Sequence, residues 1–126
     1  MITSSIGNEQ YKVTHSNGRH TFFADEPIDK GGKDIAPTPD ELLEAALASC
    51  TLVTLRMYTH HKQWNVGAIS ISVTLKREEG NTIITRQLNF ENELTSEQQQ
   101  RLMQVAKNCP VSKTLGAASA LNVQIN

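Results

Sequence analysis

Between Ala68 and Leu75 apolar and polar residues alternate with period two, which places Ile69, Ile71, Val73 and Leu75 on one face of a half-buried strand. Glu79-Gly80-Asn81 reverses the chain. Thr82 to Glu93 then reads as the antiparallel partner, with Ile84, Arg86, Leu88 and Phe90 alternating less cleanly. Upstream, Gln10 to Thr14 and His20 to Ala24 read as two short strands joined across Ser16-Asn17-Gly18, a sequence suited to the positive φ of a hairpin turn. Asp25 to Pro37 is rich in Pro, Gly and charge, has no period, and reads as a loop.

The period changes at Thr38-Pro39-Asp40-Glu41. Thr38 can cap a helix, Pro39 suits its first position, and Glu41 can reach back to complete a capping box. From Leu42 nearly every face carries apolar or small side chains, so a central helix buried on several sides is predicted, ending near His60-His61-Lys62. Cations there meet the negative end of the helix dipole. Thr95 and Gln98 restart a helix with the stripe Leu102, Met103, Val105 and Ala106. That helix stops at Asn108 or Cys109, because Pro110 restricts the residue before it and itself suits the first position of a short helix through about Leu115. Leu121 to Ile125 is expected to close the domain as a strand. The order ββ, α, ββ, αα, β predicts one α+β domain over residues 1–126, an antiparallel sheet wrapped around a long buried central helix.

A chain of 126 residues buries a core without staples, so its two cysteines have no scaffolding task. Twelve basic against thirteen acidic residues leave a net charge of -1, and no electrostatic pull toward nucleic acid or an anionic membrane is expected. The first ten residues lack a basic region and an apolar region of a secretory signal, and the run Leu42 to Tyr58 is too short and too interrupted to span a bilayer. A soluble protein of the reducing cytoplasm is the expectation. Thiols in that compartment are more often catalytic or sensing than bridged, and these two form no Cys-x-x-Cys array, which argues against zinc. No metal and no other cofactor is expected.

Cys50 lies in the middle of the apolar helix, where burial raises a thiol pKa unless a cation or donor is brought to it. Cys109 stands before Pro110, near a helix cap that favours a thiolate. Each also admits a purely structural reading, as a small core residue or a buried cap residue. Arg56 is the only charged residue of the apolar run beyond Glu44, and Glu44 or another carboxylate is its expected partner. His60 and His61 read as dipole compensation, and His20 as a strand histidine that could also serve as a donor to a thiol.

The segments Gly31-Gly32-Lys33-Asp34, Pro37 to Thr51, and Thr54 to Tyr58 resemble the OsmC/Ohr family of osmotically inducible and organic hydroperoxide resistance proteins. Lys107-Asn108-Cys109-Pro110-Val111 with Thr114-Leu115 is similar to that family's second cysteine segment, and the likeness is nearest to an OsmC-like branch apart from the well-defined hydroperoxide reductases. The resemblance implies an intertwined homodimer with sites at the subunit interface, reducing organic hydroperoxides or hydrogen peroxide without a cofactor. It makes Cys50 the peroxidatic thiol, Cys109 the resolving thiol, and an external dithiol the reductant. It also makes Arg19, in the N-terminal hairpin, the activating arginine, and places that arginine's carboxylate partner at Asp40. Asp40 is one methylene shorter than the family's glutamate. On one straight helix it would stand about 15 Å from Cys50, so sharing an arginine needs a bend or a second subunit. The alternative from another class is a protein that holds a small apolar or acyl ligand, or senses redox state, on the same dimeric fold.

Overall fold

Helix α1 begins as its sequence requires. In the computed structural model, which describes all 126 residues, Thr38 Oγ1 accepts from the Glu41 amide at 3.2 Å and Glu41 Oε1 accepts from the Thr38 amide at 3.1 Å. The helix runs from Pro39 to Lys62. Helix α2 (Ser96–Lys107) carries the same reciprocal capping box through Thr95 and Gln98, and α3 (Pro110–Leu115) starts at Pro110 with Cys109 as its cap residue.

The chain divides into two compact units, Met1–Ala45 and Ala46–Asn126. In the first, β1 (Thr3–Ile6), β2 (Val13–Ser16) and β3 (Thr21–Ala24) form an antiparallel sheet in that order. The β2–β3 turn uses Asn17, whose Oδ1 accepts from the Arg19 and His20 amides, and Gly18, whose φ of +92° favours glycine. Strand β1 lies outside the sequence expectation. Its exposed residues, Thr-Ser-Ser-Ile, have no period, and it is fixed by pairing Thr3 with Ser16 through Ile6 with Val13 and by a 2.8 Å bond between Ser4 Oγ and His15 Nδ1. The loop after β3 folds over the buried Asp25, whose carboxylate accepts from the amides of Glu26, Lys33 and Ile35.

In the second unit, β4 (Ile69–Glu78) and β5 (Asn81–Phe90) make a two-stranded antiparallel ribbon joined by Glu79 and Gly80, both at positive φ. Ile71 faces Leu88, and Val73 faces Arg86. Leu55, Val66, Leu102 and Ala106 are the buried centre, with Tyr58, Trp64, Ile69, Leu88 and Phe90 packed around them. Apolar contact between α1, the ribbon and α2 therefore builds this unit.

Two expectations need correction. On α1 only the stripe Leu47, Thr51, Leu55 and Thr59 is buried, whereas Val53 and Met57 are 53% and 68% exposed. One chain supplies packing for a single stripe of a helix that is apolar on several. Leu121 to Ile125 forms no strand: Leu121, Val123 and Ile125 are 93%, 91% and 98% exposed. Alternation fits a pleated surface, but a strand exists only where an edge takes its backbone hydrogen bonds. No helix is long and apolar enough to cross a membrane.

Candidate functional site

The second unit brings the two thiols together. Cys50 sits half-buried on α1 and its Sγ accepts from the Val111 amide of α3 at 3.5 Å. Cys109 is fully buried, with its Sγ 3.7 Å from Thr51 Oγ1, and the Cys50 thiol is among the groups that influence it. The helix pattern explains this meeting. Cys50 and Thr51 are adjacent on α1, and Pro110 ends one helix and starts the next, so the turn at Cys109 delivers both its sulfur and the Val111 amide to the same stretch of α1. Both thiols are free.

A guanidinium organises the surroundings. Arg86 occupies the inward-facing register of β5, where Ile84, Leu88 and Phe90 are the other half-buried side chains. Its Nη1 donates to Thr51 Oγ1 at 3.1 Å and to the Ala106 carbonyl at 2.8 Å, and its Nη2 donates to Ser112 Oγ at 3.1 Å. One side chain thus ties α1, the end of α2 and α3 together around Cys109. All three acceptors are neutral, so the positive charge remains available to the Cys109 sulfur.

Burial pushes the Cys109 thiol up, as expected for a sulfur taken out of water. The opposing influences win. The Ser112 amide, near the sulfur but outside full cap geometry, the Thr51 hydroxyl, the Cys50 thiol and the Arg86 charge together hold Cys109 below the ordinary thiol value. The cap argument from sequence pointed the same way.

The other residues singled out in the sequence fall as follows. Arg19 belongs to the first unit, exposed in the β2–β3 turn beside the equally exposed His20. Asp40 is half-buried in the first turn of α1, ten positions ahead of Cys50 on the same helix. Arg56 has a partner, but not a carboxylate: its Nη2 donates to the Gly67 carbonyl at 2.6 Å, binding α1 to the loop that leads into β4. A carbonyl satisfies a half-buried guanidinium without adding a second buried charge. His60 and His61 are exposed in the last turn of α1. Arg86 was not singled out as a site residue. Its signal was the charge that interrupts the inward face Ile84-x-Arg86-x-Leu88-x-Phe90, where a half-buried guanidinium demands acceptors.

Beside Arg86, a cavity of about 590 Å³ opens between β5 and α2, lined by apolar side chains that include Leu88, Phe90, Leu94, Leu102 and Met103.

A half-buried and a buried thiol beside a guanidinium are carried here on a long helix and antiparallel sheets, the frame of an α+β class of proteins. The chain belongs to the OsmC family, whose model, described as OsmC-like protein, matches residues 31–125. Solved structures give the same fold. An OsmC-like protein from Mycoplasma pneumoniae superposes with a TM-score of 0.74 at 19% identity, covering 100% of this chain and 93% of that one. An organic hydroperoxide resistance protein from Elizabethkingia anophelis gives 0.67 at 22% identity, with 90% and 86% covered. The organic hydroperoxide resistance protein OhrB of Bacillus subtilis gives 0.61 at 24% identity, with 90% and 87% covered. A comparison with curated proteins finds no match.

Proposed function

We propose that this chain is a thiol-dependent peroxidase that reduces organic hydroperoxides or hydrogen peroxide through Cys50 and Cys109. The observation that carries the reading is the meeting of its only two thiols beside a guanidinium and a hydroxyl. Family membership and the fold shared with two organic hydroperoxide resistance proteins support it.

Cys50, the half-buried and therefore more accessible thiol, attacks the peroxide as thiolate. Its sulfur bonds to one peroxide oxygen, the O–O bond breaks, and the departing alkoxide takes a proton to leave as alcohol, or as water from hydrogen peroxide. Cys50 is now a sulfenic acid. The Cys109 thiolate attacks that sulfur, a disulfide forms, and hydroxide leaves as water after protonation. An external dithiol reduces the disulfide by exchange. In this reading the working unit is a homodimer, and Arg19 with Asp40 supplies a cation and its carboxylate to the peroxidatic thiol. The exposed Val53 and Met57 on α1 and the exposed tail residues Leu121, Val123 and Ile125 support a second copy as their cover.

The test is to treat reduced protein with a small excess of cumene hydroperoxide and follow both cysteines by mass. Loss of both thiols to a disulfide, and steady turnover when a dithiol is supplied, are expected. Absence of Cys50 oxidation under these conditions rejects the mechanism. The apolar cavity beside Arg86 favours one second reading, a binder of a small apolar or acyl ligand whose cysteines oxidise only incidentally. Stoichiometric oxidation without cycling would support that reading.

A further inference from the structure

The Thr51 hydroxyl has one proton and more than one place to put it. Thr51 Oγ1 donates to the Leu47 carbonyl at 2.8 Å, accepts from Arg86 Nη1 at 3.1 Å, and lies 3.7 Å from Cys109 Sγ. While Cys109 is a thiol, its S–H can donate to the remaining lone pair of Thr51 Oγ1, and the hydroxyl proton rests on Leu47. When Cys109 ionises, the same hydroxyl turns and donates to the thiolate. Leu47 loses only a second bond, because its carbonyl sits inside α1 and keeps its helical partner. Both protonation states are thus satisfied by rotation of one hydroxyl. Arg86 holds the oxygen in place in either state, and through Ser112 it holds the turn that carries the sulfur.

We propose that Arg86 and Thr51 are positioning residues for the second thiol, keeping Cys109 ready as the thiolate that captures the Cys50 sulfenic acid before another peroxide molecule does. The proposal rests on the peroxidase reading for its consequence, though not for the ionisation itself. The competition is between two balanced reactions. Attack by Cys109 forms the S–S bond and expels hydroxide from Cys50. Attack on a second hydroperoxide transfers an oxygen to the Cys50 sulfur, giving the sulfinic acid and the alcohol, and the enzyme is lost. Arg86 and Thr51 would therefore set how much peroxide the protein survives.

The titratable or charged groups that face Cys109 are Cys50 from α1 and Arg86 from β5. A Cys50→Ser background leaves Cys109 as the sole thiol, so its ionisation is read directly from thiolate absorbance in the far ultraviolet as pH is varied. In that background Thr51→Val removes the hydroxyl and keeps the shape. The midpoint should rise by about one pH unit, a thiolate fraction about tenfold smaller at a given pH below it. Thr51→Ser, which keeps the hydroxyl, should restore the parent midpoint. Arg86→Lys keeps the charge but cannot span Thr51, Ala106 and Ser112 at once, and should raise the midpoint by about half a unit.

With both cysteines present, Thr51→Val should yield several-fold more Cys50 sulfinic acid relative to disulfide at a moderate peroxide excess. If folded Thr51→Val and Arg86→Lys both titrate at the parent midpoint, the positioning role is overturned. A raised midpoint with an unchanged sulfinic fraction overturns the link to resolution. If the parent's Cys50 does not react with peroxide, the peroxidase reading falls, and the Cys109 titrations still decide the positioning role on their own.

Discussion

Replacing Arg86 by Met removes a guanidinium and keeps most of the apolar stem, so it isolates the polar part of the cluster. Three hydrogen bonds from a charged donor are lost, to Thr51, Ala106 and Ser112. A hydrogen bond to a charged group contributes about 1.5–3 kcal/mol when one partner is lost, but two considerations reduce the total. Arg86 is only half-buried, so solvent screens its charge and can reach part of the vacated site. Thr51 also keeps its bond to Leu47, and removing the guanidinium ends the cost of desolvating it. The net loss should be about 2–4 kcal/mol, a substantial share of the roughly 5–15 kcal/mol that holds an ordinary domain together. Urea unfolding followed by circular dichroism measures it as a lowered midpoint at unchanged slope. Pairing Arg86→Met with Ser112→Ala in a double-mutant cycle should give a coupling of about 0.5–2 kcal/mol. A loss below about 1 kcal/mol with no coupling would refute the claim that this side chain clamps α1, α2 and α3.

Three further outcomes follow from the same packing and hydrogen bonds. Leu102→Ala empties the buried centre beside Leu55, Val66 and Ala106, and should cost about 2–5 kcal/mol in urea unfolding. Gly67→Ala should cost about 1–3 kcal/mol by the same measurement, because the residue has φ +70° and a Cβ there would lie 2.8 Å from Glu91 Cβ. Asp25 should make stability depend on pH in one direction: the Glu26 amide first, against the opposing effect of burial, and then the amides of Ile35 and Lys33 with the Lys33 charge hold its carboxyl below the usual range. A depressed folded value contributes stability that is complete above the unfolded carboxylate pKa and is lost as pH falls through the folded one. Asp25→Asn should therefore be less stable than the parent at neutral pH, with the gap closing in acid, as thermal melts across that range would show.

Much of the fold was legible from sequence wherever its signals are local. Thr38 with Glu41, and Thr95 with Gln98, announce helix starts through side-chain bonds only three residues long, and both capping pairs form. Glu79-Gly80 announces its hairpin in the same way. What escaped depends on partners distant in the chain. Strand β1 has no periodicity of its own and exists because β2 offers it an edge. The tail has the periodicity but no edge in this chain, and remains exposed. The Arg86 position was visible only as an irregularity in the alternation of β5. Its meaning came from Thr51, 35 residues earlier, and Ser112, 26 residues later. The placement of Cys109 at a helix start was readable from Pro110, whereas its nearness to Cys50 required the fold.

The central claim is that Cys50 and Cys109 act as one redox couple. Peptide mapping under non-reducing conditions, after a single equivalent of cumene hydroperoxide, tests it most directly. The account predicts a cross-linked pair of peptides containing Cys50 and Cys109 within one chain, and in Cys109→Ser a sulfenic acid trapped at Cys50 instead. Recovery of both cysteines as free thiols, or of disulfides only between chains, would contradict it.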